Sequence, residues 1–176
     1  MHGIIALGTS MDHESQRTRD LGCWDIAPIG DSLISSWSSI TPTPEFALDD
    51  GYCSLLANLG VGPVAEPSLV QSMIADTKSH YIGDAGRQRA RMCAINLRDR
   101  DGLHGRLFDI TCPVLWMHGT SDQVYSVANA QEEILLFVNS KEAKLIKVDG
   151  GQHFLSASNP SEVEPEVVAF IEKYKV

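Results

Sequence analysis

The sequence lacks most of the features that would place it by composition alone. Lys and Arg total 14 against 23 Asp and Glu, a formal net charge of -9. With no basic stripe to neutralise phosphates, a nucleic-acid partner is not expected. No apolar run is long enough to span a bilayer. The opening MHGIIALG lacks the basic leader and cleavage site of a signal peptide. The four cysteines, Cys23, Cys53, Cys93 and Cys112, form no C-x-x-C pair. Scattered thiols read as buried residues in a reducing compartment, not as a disulfide framework, so the expected location is the cytoplasm. His2, His13, His80 and His104 share no ligand spacing, and neither a metal nor a cofactor is expected. Internal repeats and low-complexity tracts are absent too.

What is present has an ordinary globular character. At 176 residues, 43% hydrophobic and 21% charged, the chain has room for one sizeable core. Three short apolar runs, residues 3–7, 113–117 and 143–148, each end in glycine or a turn and read as buried parallel strands. A helix is expected over residues 126–138. Another is expected over 162–174, where Val163, Val167, Phe170, Ile171 and Tyr174 share one stripe. Strand, helix, strand, helix is the pattern of an α/β fold.

Between the first two strands lies a long stretch that reads as helical. Leu69, Val70, Met73, Ile74, Thr77 and Tyr81 repeat at helical spacing. Asp84 is a candidate cap for a helix running to Arg98, and Pro44 in TPTPEF is a candidate opener of another. The chain then divides into a first core strand (1–11), a helical insertion (12–108) and a second core part (109–176). A strand as apolar as the first needs a neighbour on each edge. Three strands leave one edge open, so the chain reads as the second part of a larger sheet, with an edge that would allow self-association.

Chemistry concentrates in two segments. CPVLWMHGTSDQV (112–124) is a strand followed by Gly119 and a loop carboxylate, Asp122. KVDGGQHFL (147–155) is a strand end, a glycine turn and His153. Successive strand ends would bring Asp122 and His153 within reach, where a carboxylate fixes the imidazole tautomer and leaves the other nitrogen free as a base. Plainer roles compete: Asp122 as a helix cap, His153 as a surface turn residue. His118, at the end of an apolar strand, is expected to be structural or to stand behind the pair. Trp24, Trp37 and Tyr52 are candidates to line a substrate pocket, although core packing is the commoner role for such residues.

PVLWMHGTSDQV followed by VDGGQHF and a final amphipathic helix resembles the C-terminal part of an α/β-hydrolase. IIALGTSMD resembles the family's strand before its cap, and residues 12–108 then match the helical cap. The resemblance implies a partial α/β-hydrolase fold of about three parallel strands with flanking helices and a cap insertion. It also implies a triad acid at Asp122, a triad base at His153 and hydrolysis of a small, fairly apolar substrate, with an ester-like bond favoured. The family's nucleophile sits in a G-x-S-x-G elbow, which this sequence lacks. GTSMD has Ser10 after a strand but no second flanking glycine. The nucleophile, serine or aspartate, is therefore expected outside this chain. A different class of reading is a non-catalytic fragment that binds a partner. The least supported reading is an esterase built on Gly30-Asp31-Ser32-Leu33, which spells GDSL; here Asp31 or Ser32 is expected to cap a helix instead.

Overall fold

The computed structural model describes residues 2–63 and 65–175. Its architecture follows from one fully apolar strand. β2 (Val114–Gly119) is buried at every position, as a strand must be when it has a neighbour on each edge and cover on each face. β1 (Ile4–Leu7) pairs with it in parallel, Ile4 opposite Val114 and Leu7 opposite Met117. β3 (Ala143–Val148) pairs in parallel on the other side, Ala143 opposite Val114 and Val148 opposite Gly119. Among the described residues the sheet therefore has three parallel strands in the order β1-β2-β3. β3 shows its edge position in its sequence: Lys144 and Lys147 face solvent, and the Lys144 ammonium donates to Glu166 at 3.1 Å.

Because successive strand side chains point to opposite faces, β2 feeds two cores. Val114 and Trp116 pack with Ala6, Leu107, Ala130 and Phe137 on one face. Leu115 and Met117 pack with Val148, Leu155 and Val163 on the other. Ala130 belongs to α6 (Val127–Ile134), Leu155 to α7 (Leu155–Ser158) and Val163 to α8 (Pro160–Tyr174). Removing each of Val114, Leu115 and Met117 from water contributes about 1.5–3 kcal/mol. α6 ends at Ile134, four residues before the expected 138: Leu135 and Val138 turn out to solvent while Phe137 enters the core, its ring 6.4 Å from Trp116 and nearly perpendicular to it.

The stretch between β1 and β2 is helical. It holds α1 (Gln16–Asp20), α2 (Ala27–Ser36), α3 (Asp50–Val61), α4 (Pro67–His80), α5 (Gly83–Asp99) and a 3-10 turn (His104–Asp109). The chain separates into two compact units. One comprises Met1–Trp24, Leu59–Pro63 and Gly102–Val176; the other comprises Asp25–Asn58 and Val64–Asp101. In the second unit Trp37, Leu48, Cys53, Ala90 and Ala94 form the core, and Trp37 meets Tyr52 edge-on at 5.4 Å.

Several local expectations in this stretch are corrected. Pro44 lies in a turn, and α3 opens instead at Asp50, with the Asp49 carboxylate accepting from the Tyr52 N–H at 2.8 Å. Asp84 does not cap α5, whose N-cap is Ile82. It accepts from the Thr43 N–H at 2.7 Å, which with the Thr43 hydroxyl and Arg87 holds its carboxyl below the usual range. α2 begins at Ala27 with Pro28 in its first turn, so Asp31 and Ser32 are interior helix residues rather than caps. The cysteines are not uniformly buried either: Cys53 is buried, whereas Cys93 on α5 is exposed.

Packing around Tyr52 carries a pH consequence. Burial pushes its phenol up to about 12 from an ordinary 10.0. An unfolded chain releases that proton first, so stability is intact below pH 10 and falls as pH rises from about 10 towards 12. Alkaline unfolding followed by circular dichroism is expected to show this loss, and Tyr52→Phe should move the midpoint upwards. An unchanged midpoint would show that Tyr52 is not the group responsible.

Candidate active site

Parallel pairing places the carboxyl ends of β2 and β3 side by side, and the loops that leave them are laced together. The Thr120 N–H donates to Val148 O at 2.9 Å, and the Ser121 N–H to Gly151 O at 2.9 Å. The Gly150 N–H donates to the Thr120 hydroxyl at 2.8 Å. Gly119 makes this possible, since a Cβ there would stand 2.1 Å from Gly151 O.

Asp122 hangs in the loop so fixed, its side chain fully buried. Oδ1 accepts from the N–H groups of Val124 at 2.8 Å and Tyr125 at 3.0 Å. Oδ2 lies 3.1 Å from His153 Nδ1. Asp122 does not cap α6; Ser126 does, accepting from the Asn129 N–H at 3.1 Å. His153 lies between Tyr125 and Phe154, with ring centroids at 5.5 and 5.4 Å. The end of β1 presses on its backbone: Gly8, at φ +51°, would bring a Cβ to 2.1 Å from His153 O. No other residue fits there without strain.

A carboxylate can only accept, so His153 Nδ1 carries the proton and Nε2 keeps its lone pair. No partner meets Nε2 among the described residues, and the side chain is 20% exposed. The arrangement is that of an oriented imidazole with one nitrogen available for proton transfer.

The other candidates fall elsewhere. Trp24 packs with Cys23, Val124, Tyr125 and Leu59, while Trp37 and Tyr52 belong to the core of the second unit. Gly30 to Leu33 lies in the middle of α2, with Ser32 exposed and Asp31 accepting from Arg98 at 2.7 Å. A GDSL nucleophile must stand at a strand end, so that reading is overturned. Ser10 is engaged too, donating to Glu133 at 3.0 Å and accepting from Asn129 at 3.0 Å.

Glu133 is the residue that the sequence did not reveal. Fully buried on α6, it accepts from the Ser10 hydroxyl, from the Met11 N–H at 2.8 Å and from His104 Nε2 at 3.1 Å. Asp12 lies alongside, paired with Arg17 at 3.3 Å. Asp12, His104 and Glu133 bring donor atoms within 4.8 Å of one another, which is a chemically suitable set for a cation. Their contacts favour internal pairing. His104 turns Nε2 to Glu133 and Nδ1 towards Asp12 at 3.9 Å, and Arg17 supplies the counter-charge. Three separate segments contribute, so no spacing in the sequence could announce the cluster. Glu133→Ala would strand the Ser10 hydroxyl, the Met11 N–H and His104. Its expected cost is about 3–5 kcal/mol in chemical denaturation, and a loss below about 1 kcal/mol would show that this knot does not hold the fold.

Known proteins place the architecture. No family model matches the sequence, and no curated protein matches it. Solved structures do. A hydrolase from Oleispira antarctica is 19% identical with a TM-score of 0.69, covering 97% of this chain and 56% of its own. An esterase from Exiguobacterium antarcticum is 18% identical with a TM-score of 0.68, covering 97% and 57%. A bromoperoxidase from Bacillus anthracis is 14% identical with a TM-score of 0.68, covering 97% and 58%. The fold is that of the α/β-hydrolases in part: the chain spans a little over half the length of the structures it matches. Among the described residues no helix is long and apolar enough to cross a membrane.

Proposed function

We propose that this chain supplies the acid and base of an α/β-hydrolase-type site for small, fairly apolar esters, acting in the cytoplasm, with the nucleophile on a segment outside it. The observation that carries the reading is the buried Asp122 carboxylate 3.1 Å from His153 Nδ1, with Nε2 left over. The esterase and hydrolase names of the structural neighbours agree with it.

In this mechanism His153 Nε2 takes the proton of a hydroxyl nucleophile as it attacks the ester carbonyl, and Asp122 stabilises the imidazolium that forms. His153 then protonates the leaving alcohol and repeats the exchange with water to release the acid. The chemistry uses protein groups alone and needs no cofactor. An aspartate nucleophile would direct the same pair to epoxide or haloalkane substrates. Residues 12–108 serve as the helical cap, and Trp24, which packs with Val124 and Tyr125, is the candidate contact for an apolar substrate.

Joined to an N-terminal segment that carries a G-x-S-x-G elbow, the chain is expected to hydrolyse p-nitrophenyl butyrate. Asp122→Asn should lower kcat by roughly 10⁴-fold. Activity unaffected by Asp122→Asn or His153→Ala would overturn the assignment. The chain alone is expected to resist a fluorophosphonate; covalent labelling lost in His153→Ala would show that it holds its own nucleophile.

A second reading, as a partner-binding half, has its own observation. The far edge of β1 pairs with no strand among the described residues, and beside it Ile5, Phe170, Ile171 and Tyr174 line a groove of about 420 Å³. An unblunted apolar edge favours pairing with a second copy. Light scattering during size-exclusion chromatography is expected to show dimers that Ile5→Lys dissociates. A stable monomer at high concentration would contradict self-association.

A further inference from the structure

We propose that His118 is a positioning residue for the Asp122–His153 pair, an inference that rests on the function proposed above. His118 is the penultimate residue of β2, fully buried, and Tyr125 lies where the following loop closes. His118 Nε2 stands 2.9 Å from Tyr125 O. A carbonyl only accepts, so Nε2 carries the proton and the contact ties the loop shut across its base. The same Nε2 lies 3.6 Å from Asp122 Oδ2. That is too long for a good hydrogen bond, yet it keeps a buried N–H group close to the oxygen that serves His153.

The ring's other nitrogen shows that packing alone does not explain the residue. His118 Nδ1 is buried and meets no partner among the described residues. An apolar side chain of similar size would fill the space without leaving a buried acceptor unsatisfied. What an apolar residue cannot do is donate to Tyr125 O. That bond pins the same loop whose Val124 and Tyr125 N–H groups hold Asp122 Oδ1, so His118 braces the cradle at Tyr125. Losing it should loosen the direction of Oδ2 and with it the orientation of His153.

Long-range ¹H–¹⁵N NMR of the chain tests this directly. In the wild type His118 is expected as the Nε2–H tautomer and His153 as the Nδ1–H tautomer. In a folded His118→Leu variant, solvent exchange of the His153 Nδ1 proton should rise roughly tenfold or more, the signature of easier local opening, and the tautomer should drift towards Nε2–H. His118→Gln, which keeps an N–H donor, should restore the wild-type pattern. A Leu variant whose exchange stays within about twofold of wild type, while His153 remains Nδ1–H, overturns the role of His118 and leaves the pair intact. A wild-type His153 found as Nε2–H removes the pair itself. If the Leu variant fails to fold, His118's own tautomer decides: the Nδ1–H form overturns the proposal, and the Nε2–H form with rescue by Gln supports it.

Discussion

The backbone of Gly119 lies against that of Gly151 so closely that a Cβ on Gly119 would collide with Gly151 O, and one on Gly151 would stand 2.9 Å from the Gly119 Cα. Everything at the carboxyl edge of the sheet depends on this approach. It lets Ser121 reach Gly151 O and Thr120 reach Val148 O, so two loops that share no hydrophobic core become one rigid piece. It also sets where the chain goes after the turn. His153 is delivered beside Asp122, and two residues later Leu155 drops into the core at 1% exposure. A side chain on either glycine would push the loops apart and carry the acid away from the base. The constraint is steric and local, and it acts before any electrostatic attraction between the two side chains comes into play.

Two fully buried carboxylates stand at this edge, and comparing them shows why one is suited to chemistry and the other to structure. Burying a carboxylate costs several kcal/mol unless its oxygens are met by donors. Glu133 is met by a hydroxyl, a backbone N–H and His104. Its imidazole partner is used on both sides, with Nε2 on Glu133 and Nδ1 turned to Asp12. Such a ring has no nitrogen left for a substrate. Asp122 is met instead by two backbone N–H groups on Oδ1, leaving Oδ2 to a ring whose far nitrogen has no partner among the described residues. Similar ingredients, a buried acid and a histidine, thus give a structural knot in one place and an available base in the other.

The three strands, their parallel order of use and the Asp122–His153 approach were legible because each depends on local signals: short apolar runs, terminal glycines and a polar residue at a fixed distance beyond. Helix boundaries in the second unit were less so. Pro44 and Asp84 carry strong opening signals, yet tertiary contacts decide otherwise. Thr43 draws Asp84 into its own hydrogen bonds, and Asp49 opens α3 several residues after Pro44. The Glu133 cluster was invisible, since Ser10, His104 and Glu133 come from separate segments and an interior glutamate on an amphipathic helix looks like an exposed one. His118 occupies the middle ground. Its burial could be read from the apolar strand around it, but its bond to Tyr125 O is set by how the loop returns.

The free edge of β1 among the described residues and the proposed site are geometrically one problem. β1 presses its last turn, at Gly8, against the backbone of His153, so the carboxyl end of β1 already borders the base. A further strand added in parallel to the free edge of β1 would lie about 4.8 Å away. Its carboxyl end would come out at the same side of the sheet, where α/β folds gather their reactive groups. A nucleophile on the turn after such a strand would face the available nitrogen of His153. A second copy pairing antiparallel through the same edge would present the amino end of its β1 at that position instead, and nothing to attack with. On the proposed reading, self-association and completion of the site would compete for one surface, and the direction of the strand that occupies it would decide whether the Asp122–His153 pair has a nucleophile to activate.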